Sequence, residues 1–173
     1  MKQLLDGMIR AAKLDVSFYE KVEADKGFLG QARAVVVLSS IAAGIGSFGE
    51  DGVGGIIAET IVALFSWYIW AYLTYFIGTR FLPEPQTKAD SGELLRTIGF
   101  ASSPGILRIF CILPGDWGLT VSLVAEVWML FAFVVAVRQA LDYSSTIRAM
   151  VVCTIGFIII QVMKVGVTLV TGI

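Results

Sequence analysis

The apolar positions of the chain form long runs, separated by short segments that carry most of the charges. A membrane-spanning helix needs ~20 predominantly apolar residues. Cut at its charges and turn residues, the sequence predicts five spans: Phe28–Gly49, Ile56–Thr79, Thr97–Gly115, Trp117–Val137 and Ala149–Gly172. We therefore expect an all-α polytopic membrane protein built as a five-helix transmembrane bundle.

The third span has an irregular sequence. Ser102-Ser103-Pro104-Gly105 interrupts it, and a proline removes a backbone donor and kinks a helix that its neighbours must accommodate. The turn Pro114-Gly115-Asp116 that follows is very short. Spans three and four should therefore be antiparallel neighbours.

A charged leader, residues 1–27, precedes the spanning domain, residues 28–173. Its apolar residues recur at helical spacing and predict a short amphipathic helix: Leu4, Leu5, Met8, Ile9 and Ala12. This helix either lies on the bilayer surface or packs against the bundle, because an amphipathic pattern does not identify its apolar partner. Ser17 to Glu20 has capping-box spacing and predicts the start of a second short helix. We expect no cleavable signal peptide, because the leader is too long for a normal basic region.

The basic residues predict the orientation, since short loops rich in Lys and Arg stay cytoplasmic. All of the 13 basic residues except Arg108 and Lys164 fall on one side of the predicted bundle. The N-terminus is thus expected in the cytoplasm, the C-terminus outside, and the chain in a bacterial inner membrane. Five arginines surround the helix ends on the cytoplasmic side and form a predicted basic face for anionic headgroups, with simple anchoring as the alternative: Arg33, Arg80, Arg96, Arg138 and Arg148.

Composition agrees with a membrane protein and excludes several activities. The chain is 57% hydrophobic and 16% charged, whereas soluble domains have about 45–50% apolar and about 25% charged residues. It contains no histidine, which removes the commonest metal ligand and the usual general base near neutral pH. Cys111 and Cys153 lie in apolar runs and are expected to be buried and free. A net charge of −1 gives no reason to expect nucleic acid as a partner. We predict no cofactor, no metal site and no catalytic residues.

Four charged residues lie within the predicted spans. Arg108, Glu126 and Lys164 are about 10–14 Å from the outer ends of their helices, and Glu59 is shallower. Because a lone charge in a span costs at least ~2.5–3.5 kcal/mol, we expect opposite charges at matching depth to pair across helices. The alternatives are a structural ion pair that fixes helix register, a functional ion or proton path, and a polar pocket for a headgroup or small anion.

Other residues have packing roles in this interpretation. Ser40 with Gly44, and Ala42 with Gly46, have the small-xxx-small spacing that lets helices approach closely, within one chain or between two. Trp67 and Trp70 are predicted to pack near mid-membrane. The glycines that precede the second span are predicted to form a turn: Gly52, Gly54 and Gly55.

Several segments, taken in order, resemble the Yip family of membrane proteins, which is named for interaction with Rab-type small GTPases. They are Phe18-Tyr19-Glu20, Gln31-Ala32-Arg33-Ala34, Tyr75-Phe76-Ile77-Gly78, Glu93-Leu94-Leu95-Arg96-Thr97-Ile98-Gly99-Phe100 with Pro104, and Val137-Arg138-Gln139-Ala140-Leu141-Asp142-Tyr143-Ser144. Gly99, Phe100 and Pro104 are the most specific part.

The resemblance implies a five-span bundle with a cytoplasmic N-terminus. Eukaryotic members carry a longer N-terminal region with an Asp-Leu-Tyr-Gly-Pro type motif, which is absent here. The short leader therefore favours the prokaryotic branch and weakens the transfer of Rab binding.

We expect a non-catalytic membrane scaffold or accessory subunit, with membrane lipids, other membrane proteins or a second copy of the chain as partners. The alternative is a small oligomeric transporter or channel that uses the intramembrane charges. An intramembrane enzyme is least favoured, because no catalytic constellation is present.

Overall fold

The structure is a computed structural model that describes the backbone of residues 2–46, 48–113 and 116–171. Within these ranges it describes all side chains except those of residues 48–52, 55, 59, 160–161 and 163–171. The described chain is helical. In order, the helices are α1 (Lys2–Ala12), α2 (Val16–Ala24), α3 (Leu29–Gly46), α4 (Phe48–Arg80), α5 (Ser91–Ala101), α6 (Trp117–Ala140) and α7 (Thr146–Thr171). Two 3-10 segments, Lys26–Phe28 and Ser103–Ile112, precede α3 and follow α5.

Four helical segments of the described chain are long and apolar enough to cross a membrane: Lys26–Gly46, Ile56–Arg80, Ser91–Ile112 and Trp117–Ala140. Helix α7 is long enough to supply a fifth span, and its part Thr146–Ile159 is apolar. The all-helical membrane bundle expected from the hydrophobic pattern is therefore confirmed, with four to five spans.

The third span is broken where the sequence predicts it. Helix α5 ends at Ala101, and Pro104 stands at the beginning of the 3-10 segment. Helix α6 then packs against this segment so closely that a Cβ on Gly118 would lie 2.6 Å from the Cys111 carbonyl oxygen. Spans three and four are therefore neighbours, as the short turn predicted.

Two predicted helix starts and one predicted turn are wrong. Helix α2 is capped by Asp15, which accepts from the Phe18 amide, rather than by Ser17. Helix α5 begins at Ser91 rather than Thr97, because Asp90 and Glu93 form a capping box. The second span agrees with the predicted start at Ile56, but helix α4 itself begins at Phe48, so the turn predicted at Gly52, Gly54 and Gly55 is wrong.

Small residues of α3 pack within the chain. A Cβ on Gly44 would lie 3.0 Å from the Ile56 Cα of α4, and Gly46 lies against the Arg108 carbonyl. Trp67 is buried and donates to the Leu95 carbonyl at 3.1 Å. The predicted packing roles of these residues are confirmed.

The leader packs against the bundle. Phe18 of α2 meets Phe100 of α5 edge to face, with ring centroids 5.1 Å apart, and Phe28 lies 5.9 Å from the same ring. Tyr19 and Val22 are fully buried. The leader is therefore part of the packed core. We call the end of the bundle where α3, α5 and α7 begin and α4 and α6 end the loop end.

Candidate functional site

A carboxylate joins the two loops at the loop end. Glu84, in the loop between α4 and α5, accepts from the backbone amide of Ser144 at 2.9 Å and from its hydroxyl at 2.6 Å. Gln86 donates to the same oxygen at 2.5 Å, and Arg148 lies 3.5 Å from the other one. These hydrogen bonds, chiefly those from Ser144, lower the pKa of Glu84 to about 2. Glu84 is therefore a stable anion that fixes the α6–α7 loop to the α4–α5 loop.

Tyr143 makes a second connection between these loops. Its buried hydroxyl lies 3.0 Å from the Gly78 carbonyl oxygen and 2.8 Å from that of Leu82, at the end of α4. Burial raises its pKa to about 12, so it stays a neutral hydrogen-bond donor. Gly78 is needed here, because a Cβ would lie 3.2 Å from the hydroxyl and would collide with Leu141.

Two arginines of the predicted basic face bind backbone carbonyls. Arg148 donates to the Pro83 carbonyl at 2.7 Å, and Arg138 donates to those of Tyr143 at 3.2 Å and Ser144 at 3.4 Å. Both guanidinium groups are thereby held within the loop end. They stabilise the loops through these contacts.

Arg96 is not part of an exposed basic face, and this prediction is wrong. The residue is 3% exposed, and its guanidinium donates to the carbonyls of Val22, at 3.0 Å, and Glu23, in the last turn of α2. A cation is favourable at a helix C-terminus, where carbonyls lack partners. Arg96 therefore fastens the leader to α5.

The side chain of Glu23 titrates near neutral pH. Burial, followed by repulsion from Asp142, Glu93 and Glu20, raises its pKa to about 7, whereas Arg96 acts in the opposite direction. The contact between leader and bundle thus contains one group that changes charge close to physiological pH. Of the five predicted basic-face arginines, Arg33 and Arg80 remain exposed.

The three residues of the most specific motif occupy one helix junction. Gly99 faces Ala32 of α3, and a Cβ there would lie 2.8 Å from the Ala32 Cβ. Phe100 is fully buried among the leader aromatics, and Pro104 is buried at the start of the 3-10 segment. Gly99 therefore allows α5 to approach α3 closely, Phe100 holds the leader, and Pro104 stands where the third span breaks.

Comparison with protein-family models matches the Yip1 domain over residues 15–165. The chain belongs to the Yip1 family. The match includes α2, the loop-end contacts and the Gly99 junction, so this is a membrane protein of the Yip type. Comparisons with curated proteins and with solved structures find no match.

The predicted intramembrane network is not assembled between Arg108 and Glu126. Arg108 donates to the Gly105 carbonyl at 3.3 Å and to the Ser39 hydroxyl at 3.4 Å. Ion pairs among the described side chains join Arg10 to Asp15 and Arg148 to Glu84. Arg108 is therefore not the partner of Glu126, and the expectation that Glu126 pairs with at least one of Arg108 and Lys164 stays a prediction for Lys164. The side chains of Lys164 and Glu59 lie outside the described residues.

Glu126 lies on the outer surface of α6. It is exposed, and its polar contact within the described part of the chain is the Ser122 hydroxyl at 3.5 Å. It stands about 14 Å along α6 from Trp117, far from either helix end. An acidic group at this depth on an outward surface is the unusual chemical feature of this Yip1-family bundle.

Sequence reasoning overlooked Glu84 and gave Tyr143 and Ser144 no individual role. Pro83-Glu84-Pro85 places an acid between two prolines, which was the available signal, but its partners lie about 60 residues away in sequence. Among the described residues there is no group of three His, Cys, Asp or Glu side chains that would hold a metal ion.

Proposed function

We propose that this Yip1-family chain works without catalysis as a membrane scaffold or accessory subunit that binds other membrane proteins or lipids. The observation that carries the proposal is the exposed position of Glu126 on a membrane-facing helix. An ionisable group facing lipid costs ~2.5–3.5 kcal/mol at mid-membrane. A basic or hydrogen-bonding side chain on another transmembrane helix would remove this cost, which favours association.

The neighbours of Glu126 have the spacing of a helix-packing seam. Leu119, Leu123, Glu126 and Leu130 follow one another at steps of four, three and four residues, and all four are exposed. This is the heptad spacing that packs two helices side by side, with one polar position that fixes register and partner. We call these four residues the α6 seam. It suits a transmembrane helix that carries a Lys or Arg at the level of Glu126.

Lipid binding has support at the loop end. Arg33 and Arg80 are exposed and suitably placed to contact headgroups. Each is worth about 1 kcal/mol near an anionic surface. This is weaker than the basic face of five arginines expected from the sequence, so anionic lipid is a secondary partner in this proposal.

The alternative function is a small oligomeric transporter or channel, in which copies of the chain assemble around Arg108, Glu126, Lys164 and Glu59. The exposed Glu126 would then line a pathway between subunits. The contacts of Arg108 with Ser39 and Gly105 favour the scaffold instead, because they hold this cation within its own chain.

Site-directed crosslinking tests the seam. A photoreactive residue at Leu123 should capture a transmembrane protein or a second copy of the chain in native membranes, and one at Val124, on another part of α6, should not. Capture should be lost in Glu126→Leu and kept in Asp116→Asn, which neutralises an exposed acid at the helix start. Capture that persists in Glu126→Leu would contradict the role of the carboxylate.

Reconstitution into liposomes separates the two functions. The scaffold proposal predicts no ion or proton flux above that of empty vesicles. A flux that disappears in Glu126→Gln would refute it and establish the transporter.

The proposed orientation places the loop end in the cytoplasm, in a bacterial inner membrane. Single cysteines at Gly52 and Gln86 test this with an impermeant thiol reagent on intact cells. Labelling at Gly52 alone is expected, and labelling at Gln86 alone would reverse the orientation.

A further inference from the structure

Helix α1 lies across the bundle and contacts α3, α5, α6 and the 3-10 segment after α5. Gly7 sits against Phe100, since a Cβ there would lie 3.0 Å from that ring. Gly7 is at the middle of α1, and at its C-terminal end the Ala12 carbonyl accepts a 2.7 Å hydrogen bond from the Trp128 indole. One short helix that contacts several spans in this way runs along the bundle surface and does not cross the membrane.

The contacts of α1 fix its level in the bundle. Trp128 lies about 18 Å along α6 from Ala140, and Phe100 lies about 14 Å along α5 from Ser91. The apolar part of α6, from Trp117 to Val137, is about 30 Å long and equals the hydrocarbon thickness of a bilayer. Helix α1 is therefore level with the middle of the apolar height of α6, well below the loop end.

The outward surface of α1 is amphipathic. Leu5 and Ile9 are 52% and 54% exposed, and they lie on the side of the helix that also carries Ala12, next to Trp128. Lys2, Asp6 and Lys13 are exposed along the other edge. Neither water alone nor hydrocarbon alone suits both edges, whereas the boundary between them does.

The exposed apolar surface of the protein therefore has different heights on α6 and on α4. Between the level of α1 and Trp117, the apolar surface of α6 is about 17 Å high, which is close to the thickness of one leaflet. On α4, exposed apolar residues extend from Val53 to Phe76, a distance of about 35 Å. A bilayer whose hydrocarbon thickness matches both apolar surfaces must be thinner beside α1 than beside α4.

We propose that α1 is a membrane-embedded wedge: it replaces lipid of the loop-end leaflet beside α6, with Leu5 and Ile9 in contact with acyl chains and its charged edge among headgroups. The occupant of this exposed apolar edge is thus phospholipid. The wedge thins and bends the bilayer locally, so the protein should favour thin or strongly curved membranes. This inference depends on the membrane location of the chain and not on the scaffold proposal.

Spin labelling tests where α1 lies. The full chain with Cys111→Ala would carry a nitroxide at Ile9, Asp6, Ser17 or Val62, in vesicles of phosphatidylcholine and phosphatidylglycerol. The label at Ile9 should be accessible to oxygen, as at Val62, an exposed apolar residue of α4 outside the α6 seam, and the label at Asp6 to a water-soluble nickel complex, as at Ser17. Water accessibility at Ile9 equal to that at Asp6 would overturn the wedge, and so would lipid accessibility at both.

Partitioning tests its effect on the membrane. Wild-type protein should prefer short-chain over long-chain vesicles, and small over large ones. In the double variant Leu5→Ser, Ile9→Ser, the ratio of partitioning between preferred and disfavoured vesicles should fall about tenfold, which equals about 1.4 kcal/mol. The matched control is Val53→Ser with Ile57→Ser, which removes exposed apolar surface from α4 and should leave the preference intact. Equal partitioning of wild type and both variants would refute the wedge even if the crosslinking of the α6 seam succeeds.

Discussion

Replacing Arg96 should release the leader from the bundle. The guanidinium donates two hydrogen bonds to carbonyls in the last turn of α2 and is almost completely buried. A hydrogen bond from a charged group contributes about 1.5–3 kcal/mol, so the two are worth about 3–6 kcal/mol. Arg96→Met keeps much of the side-chain volume and removes the cost of burying the cation, which offsets part of this loss. We expect the free energy of leader opening to fall by about 3 kcal/mol.

Limited trypsin digestion in mild detergent measures this opening, because Lys21 and Lys26 are exposed and lie on each side of the contact. When opening and closing are fast relative to cleavage, the rate follows the population of the open state. A loss of about 3 kcal/mol then accelerates leader cleavage about a hundredfold.

Arg80→Met is the matched control, since Arg80 is an exposed arginine at the same end of the bundle. Its effect should stay within about 0.5 kcal/mol. If leader cleavage is equally fast in the two variants, Arg96 does not fasten the leader and the reasoning fails.

Four further predictions concern the loop end and the leader contact. Tyr143→Phe leaves the buried Gly78 carbonyl without this donor and should lower the unfolding free energy by about 1–3 kcal/mol, measured by thermal unfolding in detergent. Gly78→Ala should cost about 1–3 kcal/mol in the same assay because its Cβ collides with neighbouring side chains, whereas Gly30→Ala, with open space around it, should be neutral or stabilising. Because the pKa of Glu23 is raised from 4.5 to about 7, its contribution to stability falls as the pH rises through this range, and Glu23→Gln should abolish that decline. The pKa of Glu84 is lowered from 4.5 to about 2, so stability should fall as the pH drops through that range, and Glu84→Gln should flatten this acid limb; unchanged pH profiles in these two variants would contradict both assignments.

The length of the apolar runs was sufficient to predict the helices that are apolar along their whole length. The runs that predict α3, α6 and α7 match the observed helices to within a few residues. The turn predicted before the second span was wrong because glycines suggest a turn in sequence, whereas a helix also accommodates them. The start of α5 was wrong because hydropathy ignores the polar capping box at Asp90 and Glu93.

The sequence by itself determined that this is a helical membrane protein, where its third span breaks and which family it resembles, because these depend on local composition and on short motifs. Only the tertiary structure decided what each charge does. Arg96 and Arg108 look like a surface cation and an intramembrane ion-pair partner in sequence, yet both bind oxygen atoms of their own chain, at Val22, Glu23, Gly105 and Ser39. Glu84 meets Ser144 across 60 residues. The reason is physical: hydrophobic burial is non-directional and follows from residue type, whereas a charged group is stabilised by specific atoms a few ångströms away, and folding alone brings those atoms together.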